Sequence, residues 1–340
     1  MRRSNRRYAA FAALFAALPC TASSAADYFE GKKISLTIGL PPGGGFDLYA
    51  RILTPYWQRH IPGKPTILVL NRPGAGSVTA ANYVYNIAAP DGTQLAMTLD
   101  VTPIFQLLGV AGVDYDVSRM SWVGNMTSLT GHIVLWHTAP ATSIEDVRKK
   151  EVIIGTTGGK QGQAYIFASM MKAFTGAKFR IIGGYAGSAL LDPALERGEI
   201  HGRSVSWNSY IISKPHWIKE KKVIPLVQIG LKKDPNLPNV PMITELATSE
   251  EGRKALELIS TTSAFSRAIW GPPGMPKEAL DILRKSFDAT MRDPEFLADA
   301  EKRKFYIDPM TGVEVEAQAK KLLATPAGIV KAAKAAVMAQ

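Results

Sequence analysis

Stretches of β-branched and aliphatic residues alternate along the chain with stretches of helical periodicity, and glycine-rich turns separate them. Residues 34–40 are β-rich, residues 41–47 form a glycine-rich turn, and apolar residues then recur at helical spacing over 48–60. The same order is predicted next, with strands over 66–70 and 94–99 and a helix over 78–89. This alternation of strand, loop and helix indicates a parallel, doubly wound sheet covered by helices.

A second series of the same kind begins near Gly131. Its loops are also rich in glycine: residues 156–162 precede a helix predicted over 163–174, and residues 183–188 open a helix that ends near Arg197. Strands are predicted over 133–136, 152–155, 179–182, 199–206 and 223–229. Residues 266–270 lead into a breaker at 271–276, and the last helices are predicted over 277–291, 294–304 and the polar-faced C-terminal end. Two series in one chain favour two domains.

The first 26 residues have the pattern of a signal peptide. Four arginines precede an apolar run from Tyr8 to Leu18, and small residues offer an Ala-x-Ala-like cleavage site before Asp27. The apolar run is too short to span a bilayer. We therefore expect export to the periplasm with cleavage near residue 26, by the general secretory or the twin-arginine route. Cys20 leaves lipidation as an alternative, which the preceding residues disfavour.

Composition narrows the classes of function. Residues 1–26 carry four arginines and no acid, so their removal lowers the formal net charge from +11 to +7. A mildly basic chain without a polybasic block favours anionic small molecules over nucleic acid. Removal of Cys20, the single cysteine, excludes disulfides, thiol catalysis and thiolate metal sites from the mature chain.

Three glycine-rich loops are candidate ligand-binding sites. The loop at 41–47 follows a strand and precedes a helix, so its backbone N–H groups form a cradle for an anion, and its glycines let a ligand approach closely. Asp47 is expected as the N-cap or a first-turn residue of that helix. The loops at 156–162 and 183–188 repeat the arrangement, which predicts convergence on one cleft. A fourth loop, 71–77, is interpreted as a structural turn.

The candidate ligand-binding residues lie in these loops, within the strand predicted over 199–206, and directly after that strand. They are Pro42, Gly43, Gly44, Gly45, Phe46, Asp47, Thr157, Gly158, Gly159, Tyr185, Gly187, Ser188, Arg203, Ser204 and Trp207.

No motif indicates catalysis. The sequence has no G-x-S-x-G elbow and no H-E-x-x-H pair, and the loop at 41–47 fits neither a dinucleotide fingerprint nor a phosphate loop. We therefore expect a protein that is not an enzyme, with no metal site and no cofactor.

In their order and spacing, the motifs of this chain resemble the extracytoplasmic receptors of tripartite tricarboxylate transporters, also called Bug receptors. The resemblance covers nearly the whole mature chain. It rests on LPPGGGFD (40–47), NRPGAG (71–76), APDG (89–92), the glycine-rich loop at 155–162, GYAGS (184–188), ERGE (196–199), LPNVP (237–241) and GPPGMP (271–276).

The resemblance implies a two-domain, periplasmic-binding-protein-like fold of the type II kind, with the ligand cleft between the domains. The chain is expected to cross between the domains twice. Domain 1 is expected to be discontinuous, with residues 27–128 plus 264–340, and domain 2 to span residues 129–263.

The resemblance further implies a carboxylate ligand, held largely by backbone groups and bridging waters of the loop after the first strand. It also implies a membrane permease of one large and one small subunit as partner. We expect a monomeric periplasmic solute-binding protein that captures a small mono- or dicarboxylate, aromatic acids included, by domain closure without chemistry. The alternatives are a receptor that signals to a membrane kinase and, less favoured, a secreted hydrolase.

Two departures from the family pattern bear on the ligand. The family's Pro-Tyr-Lys-Gly is Gly-Gly-Tyr-Ala-Gly here, so its lysine is missing, and His201 or Arg203 takes the place of an aspartate. One hypothesis is that Arg203 pairs with a second carboxylate of a dicarboxylate, because arginine suits bidentate recognition. The alternative is an arginine that faces outward from its strand.

Overall fold

The computed structural model describes residues 28–157, 159–160, 162–185 and 190–338. The predicted signal peptide lies outside these ranges, as do three candidate site residues, Gly158, Gly187 and Ser188. Within the described ranges, every helix lacks the length or the apolar character needed to cross a membrane.

The strands and helices alternate through most of the chain. The strands are β1 (Lys33–Ile38), β2 (Thr66–Asn71), β3 (Gln94–Met97), β4 (Ser121–Asn125), β5 (Gly131–Trp136), β6 (Val152–Thr157), β7 (Phe179–Tyr185), β8 (Gly202–Ser206), β9 (Val223–Ile229), β10 (Ala268–Gly271) and β11 (Met310–Thr311). The helices are α1 (Gly45–His60), α2 (Val78–Asn86), α3 (Thr102–Leu108), α4 (Ile144–Val147), α5 (Gln163–Thr175), α6 (Leu191–Glu196), α7 (Trp207–Ser213), α8 (Pro215–Lys219), α9 (Glu250–Ser260), α10 (Lys277–Thr290), α11 (Pro294–Lys302), α12 (Gly312–Leu323) and α13 (Ala327–Met338).

Two mixed sheets, each covered by helices, form the two halves of the fold. The first has the strand order β11-β4-β10-β3-β1-β2, and the second has the order β7-β6-β8-β5-β9. The parallel sheet predicted from the alternation is corrected in one respect. In the first sheet β4 is antiparallel to β11. In each sheet, moreover, the strand that follows a crossing segment, β10 or β5, runs antiparallel to both of its neighbours. Such a strand enters from the other half of the molecule and not through a helical crossover, so it is free to run in the opposite direction.

The two crossing segments lie side by side and are joined by hydrogen bonds. The chain leaves β4 for β5 through residues 126–130 and returns after α9 through the 3-10 turn Thr261–Phe265 to β10. The backbone N–H of Arg267 donates to Asn125 Oδ1 at 2.8 Å, and Ser266 Oγ donates to the Leu129 carbonyl at 3.2 Å. These bonds fix the start of β10 against the end of β4.

The C-terminal helix makes a further connection, which the resemblance does not imply. Helix α12 packs on β4 of the first half, whereas α13 packs on α5 and α9 of the second half and on α3 of the first. Lys160 Nζ also donates to the Met338 carbonyl at 2.9 Å. The last helix therefore contacts both halves, although the predicted domain boundaries assign it to domain 1.

The largest buried hydrophobic cluster is continuous between the halves. Trp122 of β4 lies 5.3 Å from Phe265 in the crossing segment and 6.5 Å from Trp270 of β10, measured between ring centres. Ile133 of β5 and Phe167 of α5 belong to the same cluster. Burial of these side chains stabilises the crossing region, where the loops of the two halves meet.

Candidate functional site

The turn between β1 and α1 exposes a run of glycine backbone. Pro42, Gly43, Gly44 and Gly45 are exposed, and Gly43 has a φ of +81°, which glycine adopts without strain. Helix α1 begins at Gly45, three residues earlier than predicted, so the last glycine already belongs to the first helical turn. The first N–H groups of a helix have no partner within it, and these are therefore available to an anion.

Asp47 holds this loop in shape from the inside. The prediction of a first-turn position is confirmed, whereas the N-cap itself is Gly44. The Asp47 carboxylate is 2 % exposed; its Oδ2 accepts from the Gly43 N–H at 2.9 Å and from Arg51 Nε at 3.0 Å. Its Oδ1 accepts from Asn71 Nδ2 at 3.0 Å. The hydrogen bond from Arg51 lowers the pKa of Asp47, so the side chain is an anion that is already fully engaged.

Replacement of Asp47 with alanine is expected to lower the free energy of unfolding by about 2 kcal/mol, because it removes the buried carboxylate that accepts hydrogen bonds from the Gly43 N–H, Arg51 and Asn71. Urea unfolding at pH 7 measures this loss. Arg51→Ala is the matched control: it removes one half-exposed donor, and we expect a smaller loss. Equal unfolding midpoints for Asp47→Ala and wild type would show that Asp47 does not organise the loop.

A buried guanidinium lies against the same loop. Arg267 Cζ is 3.9 Å from the ring centre of Phe46 and 4.8 Å from that of Tyr49, and a methyl group on Gly45 would stand 2.8 Å from Arg267 Nη2. The side chain is 9 % exposed, and its Nε has no hydrogen-bond partner among the described residues. Burial lowers the pKa of Arg267, but a guanidinium remains protonated at neutral pH. Phe46, a candidate site residue, thus packs its ring against a cation.

Asp100 connects this half to the other. It follows β3, is 5 % exposed, and accepts a hydrogen bond at Oδ2 from Nε2 of Gln163, the first residue of α5. Within the described part of the chain, its Oδ1 has no partner. Burial raises the pKa of Asp100 to about 7, with Arg267 acting in the opposite direction. The carboxyl group is therefore divided between its neutral and charged forms at neutral pH.

The second half contributes the loop between β6 and α5. Thr157 is half-buried at the end of β6, and Tyr185 is half-buried opposite it on β7. Gly159 is exposed, and its carbonyl accepts from the Gly162 N–H at 2.8 Å. A side chain on Gly162, the N-cap of α5, would clash with the Thr157 carbonyl. This closed turn presents Gln163 to Asp100.

Arg203 is placed differently from the hypothesis drawn from the sequence. It is 5 % exposed, and its Nη1 donates to Asp192 Oδ1 at 2.5 Å, in the same half. Tyr210 also donates to Asp192 Oδ1, at 3.4 Å. Because Arg203 is already paired with a carboxylate of the same half, a structural role is favoured over contact with a ligand. Ser204, the next residue, is half-buried on β8.

Trp207 belongs to an aromatic cluster of the second half. It is 5 % exposed, and its ring centre lies 6.4 Å from that of Tyr210. It also lines a cavity of about 590 Å³ together with Ile218 of α8 and Val223 of β9. A further cavity of about 510 Å³ lies between the end of α1 and α10. The glycine-rich loops line neither cavity, so we assign the site from the loops and their charges and not from cavity size.

Sequence reasoning did not identify three polar residues at the centre of the candidate site, Asp100, Gln163 and Arg267. Asp100 follows the strand predicted over 94–99, Gln163 begins the helix predicted over 163–174, and Arg267 lies inside the run 266–270. A polar residue at the end of a predicted element was the available signal, but many residues share it. Among the described residues, no group of three or more His, Cys, Asp or Glu side chains is placed to hold a metal ion.

The two sheets, their strand orders and the loops between them define a two-domain fold of the periplasmic-binding-protein class. The solved structure of the periplasmic binding protein BugD is 19% identical, with a TM-score of 0.66, over 90% of this chain and 98% of its own. The Rhodopseudomonas palustris protein Rpa4515, solved with adipate, is 18% identical, with a TM-score of 0.66, over 89% of this chain and 97% of its own.

A similar relative is the Cupriavidus necator protein described as "UPF0065 protein in gbd 5'region". It is 25% identical over 314 residues, which cover 88% of each chain. No model of a known protein family matches the chain. The resemblance to Bug receptors, and the fold class that it implied, are thereby confirmed at the level of the fold.

Proposed function

We propose that this protein is a periplasmic solute-binding protein of the Bug kind that captures a small carboxylate between its two halves. The observation that carries the proposal is the position of the Arg267 guanidinium against the exposed glycine backbone that begins α1. Backbone N–H groups at a helix N-terminus and a guanidinium are both donors suited to a carboxylate. The adipate of the R. palustris neighbour belongs to the same chemical class.

Capture is proposed to occur by closure of the two halves around the ligand, with no bond made or broken. The first half supplies Pro42 to Phe46, whereas Asp47 shapes the loop. The second supplies the loops that contain Thr157, Gly158 and Gly159, and Tyr185, Gly187 and Ser188. A ligand that touches both halves stabilises the closed state by the contacts that it makes only there.

The cellular setting is part of the proposal. Residues 1–26 would direct export, and the mature protein would work as a monomer in the periplasm. Residues 27–128 with 264–340, and residues 129–263, would move as the two domains. The closed form would present a surface from both domains to a membrane permease of one large and one small subunit.

A thermal-shift screen of residues 27–340 tests this proposal. The panel contains mono-, di- and tricarboxylates, adipate and aromatic acids among them, with sugars and cationic amino acids as controls. A ligand at a hundredfold excess over its Kd stabilises the native state by about 2.7 kcal/mol, which raises the melting temperature. We expect one class of carboxylate to do so. A shift from a sugar alone, or from nothing in the panel, contradicts the proposal.

Gly45→Ala is expected to weaken binding of that carboxylate by about tenfold or more, which corresponds to about 1.4 kcal/mol. The added methyl group would lie 2.8 Å from Arg267 Nη2 and would displace the guanidinium from the loop. Gly328→Ala is the matched control, since Gly328 lies outside the candidate site, on exposed α13 surface, and an added methyl group there would meet no atom within 4 Å. Isothermal titration calorimetry measures both variants. Equal losses of affinity would show that Arg267 is not involved.

A further inference from the structure

Two buried groups of opposite charge, Arg267 and Asp100, lie close enough for each to shift the pKa of the other, and neither has every polar atom paired. Arg267 Nε and Asp100 Oδ1 both lack a hydrogen-bond partner among the described residues, although the side chains are 9 % and 5 % exposed. Buried polar atoms in folded proteins are nearly always paired, so an unpaired donor and an unpaired oxygen in one place indicate a missing partner. A bound ligand is the partner that the position beside the exposed glycine loop suggests.

The charge of this interior depends on Asp100. Tyr49 and Phe46 face Arg267 from α1, and Gln163 faces Asp100 from α5. Burial raises the pKa of Tyr49, so its phenol stays neutral, and both Phe46 and Gln163 are uncharged. Arg267 is therefore the cation here, and Asp100 is the group whose charge changes near neutral pH. The interior carries a net charge of +1 when Asp100 is protonated and none when it is ionised.

A second buried ionisable group in the second half does not alter this balance. His132 is fully buried beside Asp234, and burial lowers its pKa to about 4. It therefore stays neutral over the range in which Asp100 titrates.

We propose that Arg267 binds the carboxylate of the ligand and that Asp100 makes this capture pH-dependent, because the anion binds to the form of the protein in which Asp100 is protonated. This inference rests on the proposed function and names the residues that set the charge of the ligand. An ionised Asp100 repels an anionic ligand and offsets the charge of Arg267. A protonated Asp100 does neither, and its O–H is a donor for the ligand.

The sign of the pH dependence follows from this arrangement. The Asp100 carboxyl, with a pKa of about 7, is mostly protonated at pH 6 and mostly ionised at pH 8. If only the protonated form binds the anion, the affinity rises by about tenfold as the pH falls from 8 to 6. Simple carboxylic acids remain ionised over this range, so the ligand itself contributes no change.

The test is calorimetric titration of the mature protein at pH 6, 7 and 8 with the carboxylate that gives the largest thermal shift in the screen. We expect wild type to bind about tenfold more tightly at pH 6 than at pH 8. At pH 7, buffers of different ionisation enthalpy should reveal uptake of about half a proton. Asp100→Asn should bind equally at every pH and take up no proton. Asp281→Asn is the matched control on the solvent-facing side of α10, and it should keep the wild-type pH dependence.

Arg267 is tested in the same titrations. Arg267→Met should lose about a hundredfold in affinity at every pH, and Arg267→Lys, which keeps the charge, should recover part of it. The inference is overturned if Arg267→Met binds like wild type, if Asp100→Asn keeps the pH dependence, or if affinity falls as the pH is lowered. Each of these results leaves carboxylate capture intact. If no carboxylate binds wild type, the proposed function fails and this inference fails with it.

Discussion

Asp100→Asn is expected to stabilise the ligand-free protein at pH 8 by up to about 4 kcal/mol. Burial raises the pKa of Asp100 from its ordinary value of 3.8 to about 7 in the folded chain. Between these values the folded protein keeps a proton that the unfolded chain has released, so stability falls as the pH rises from 4 to 7. Above pH 7 the full cost of the buried charge is present. An asparagine carries no charge and still accepts a hydrogen bond from Gln163.

Urea unfolding of wild type and Asp100→Asn at pH 4, 6 and 8 measures this effect. The difference between the two proteins should be largest at pH 8 and should fall below about 1 kcal/mol at pH 4, where the folded wild type is protonated at this position and the unfolded chain is only about half ionised. Asp281→Asn should differ little from wild type throughout, because the side chain of Asp281 is exposed. A variant less stable than wild type at pH 8 would mean that the ionised carboxylate is well satisfied in the folded state.

The stability and binding arguments have one physical origin. Burial of the Asp100 carboxyl and of Arg267 Nε without partners for all their polar atoms destabilises the free protein, although Arg267 offsets part of the cost of an ionised Asp100. A ligand that supplies a missing partner relieves a further part of that cost. Solute capture requires a site that is less stable empty than filled. The unpaired atoms of Arg267 and Asp100 are therefore expected features of a binding site and not defects of packing.

Local pattern predicted much of the fold because the strands and helices of each series have clear periodicity. Strand β9 (Val223–Ile229) matches its prediction at both ends, and α5 begins at Gln163 as expected. Helix α3 (Thr102–Leu108) and strand β4 (Ser121–Asn125) were missed. Helix α3 has apolar residues on most sides, and β4 has few β-branched residues, so neither shows the period of its structure.

The site was predicted only in part. Its loops are formed by consecutive residues, whereas its charged residues come together from distant parts of the sequence. The glycine-rich turn before α1 could be predicted because it is formed by consecutive residues. The contact of that turn with Arg267 forms only when the chain returns from the second half. Arg203 lies within β8 and Arg267 directly precedes β10, and nothing in the surrounding sequence separates their roles. The difference lies in the partner: Arg203 meets Asp192, whereas Arg267 Nε is unpaired among the described residues.

Asp192→Ala is accordingly expected to lower the free energy of unfolding by about 3 kcal/mol, because it leaves the buried guanidinium of Arg203 without its carboxylate. Urea unfolding at pH 7 measures the loss. Glu199→Ala is the matched control: it breaks the exposed ion pair with Arg197 in the same half, and it should change stability little.

Replacing the whole pair separates a structural role from a ligand-binding one. Asp192→Leu combined with Arg203→Met removes both buried charges, and apolar replacements of a buried ion pair are often as stable as the original. If Arg203 only holds α6 (Leu191–Glu196) to β8 (Gly202–Ser206), this double variant should bind the carboxylate as wild type does, because Arg267 is intact. If the double variant remains as stable as wild type but loses binding, Arg203 would be the cation that pairs with the ligand, as the hypothesis from the sequence stated. Retained binding there, together with loss in Arg267→Met, would assign the charge recognition to the arginine beside the glycine loop.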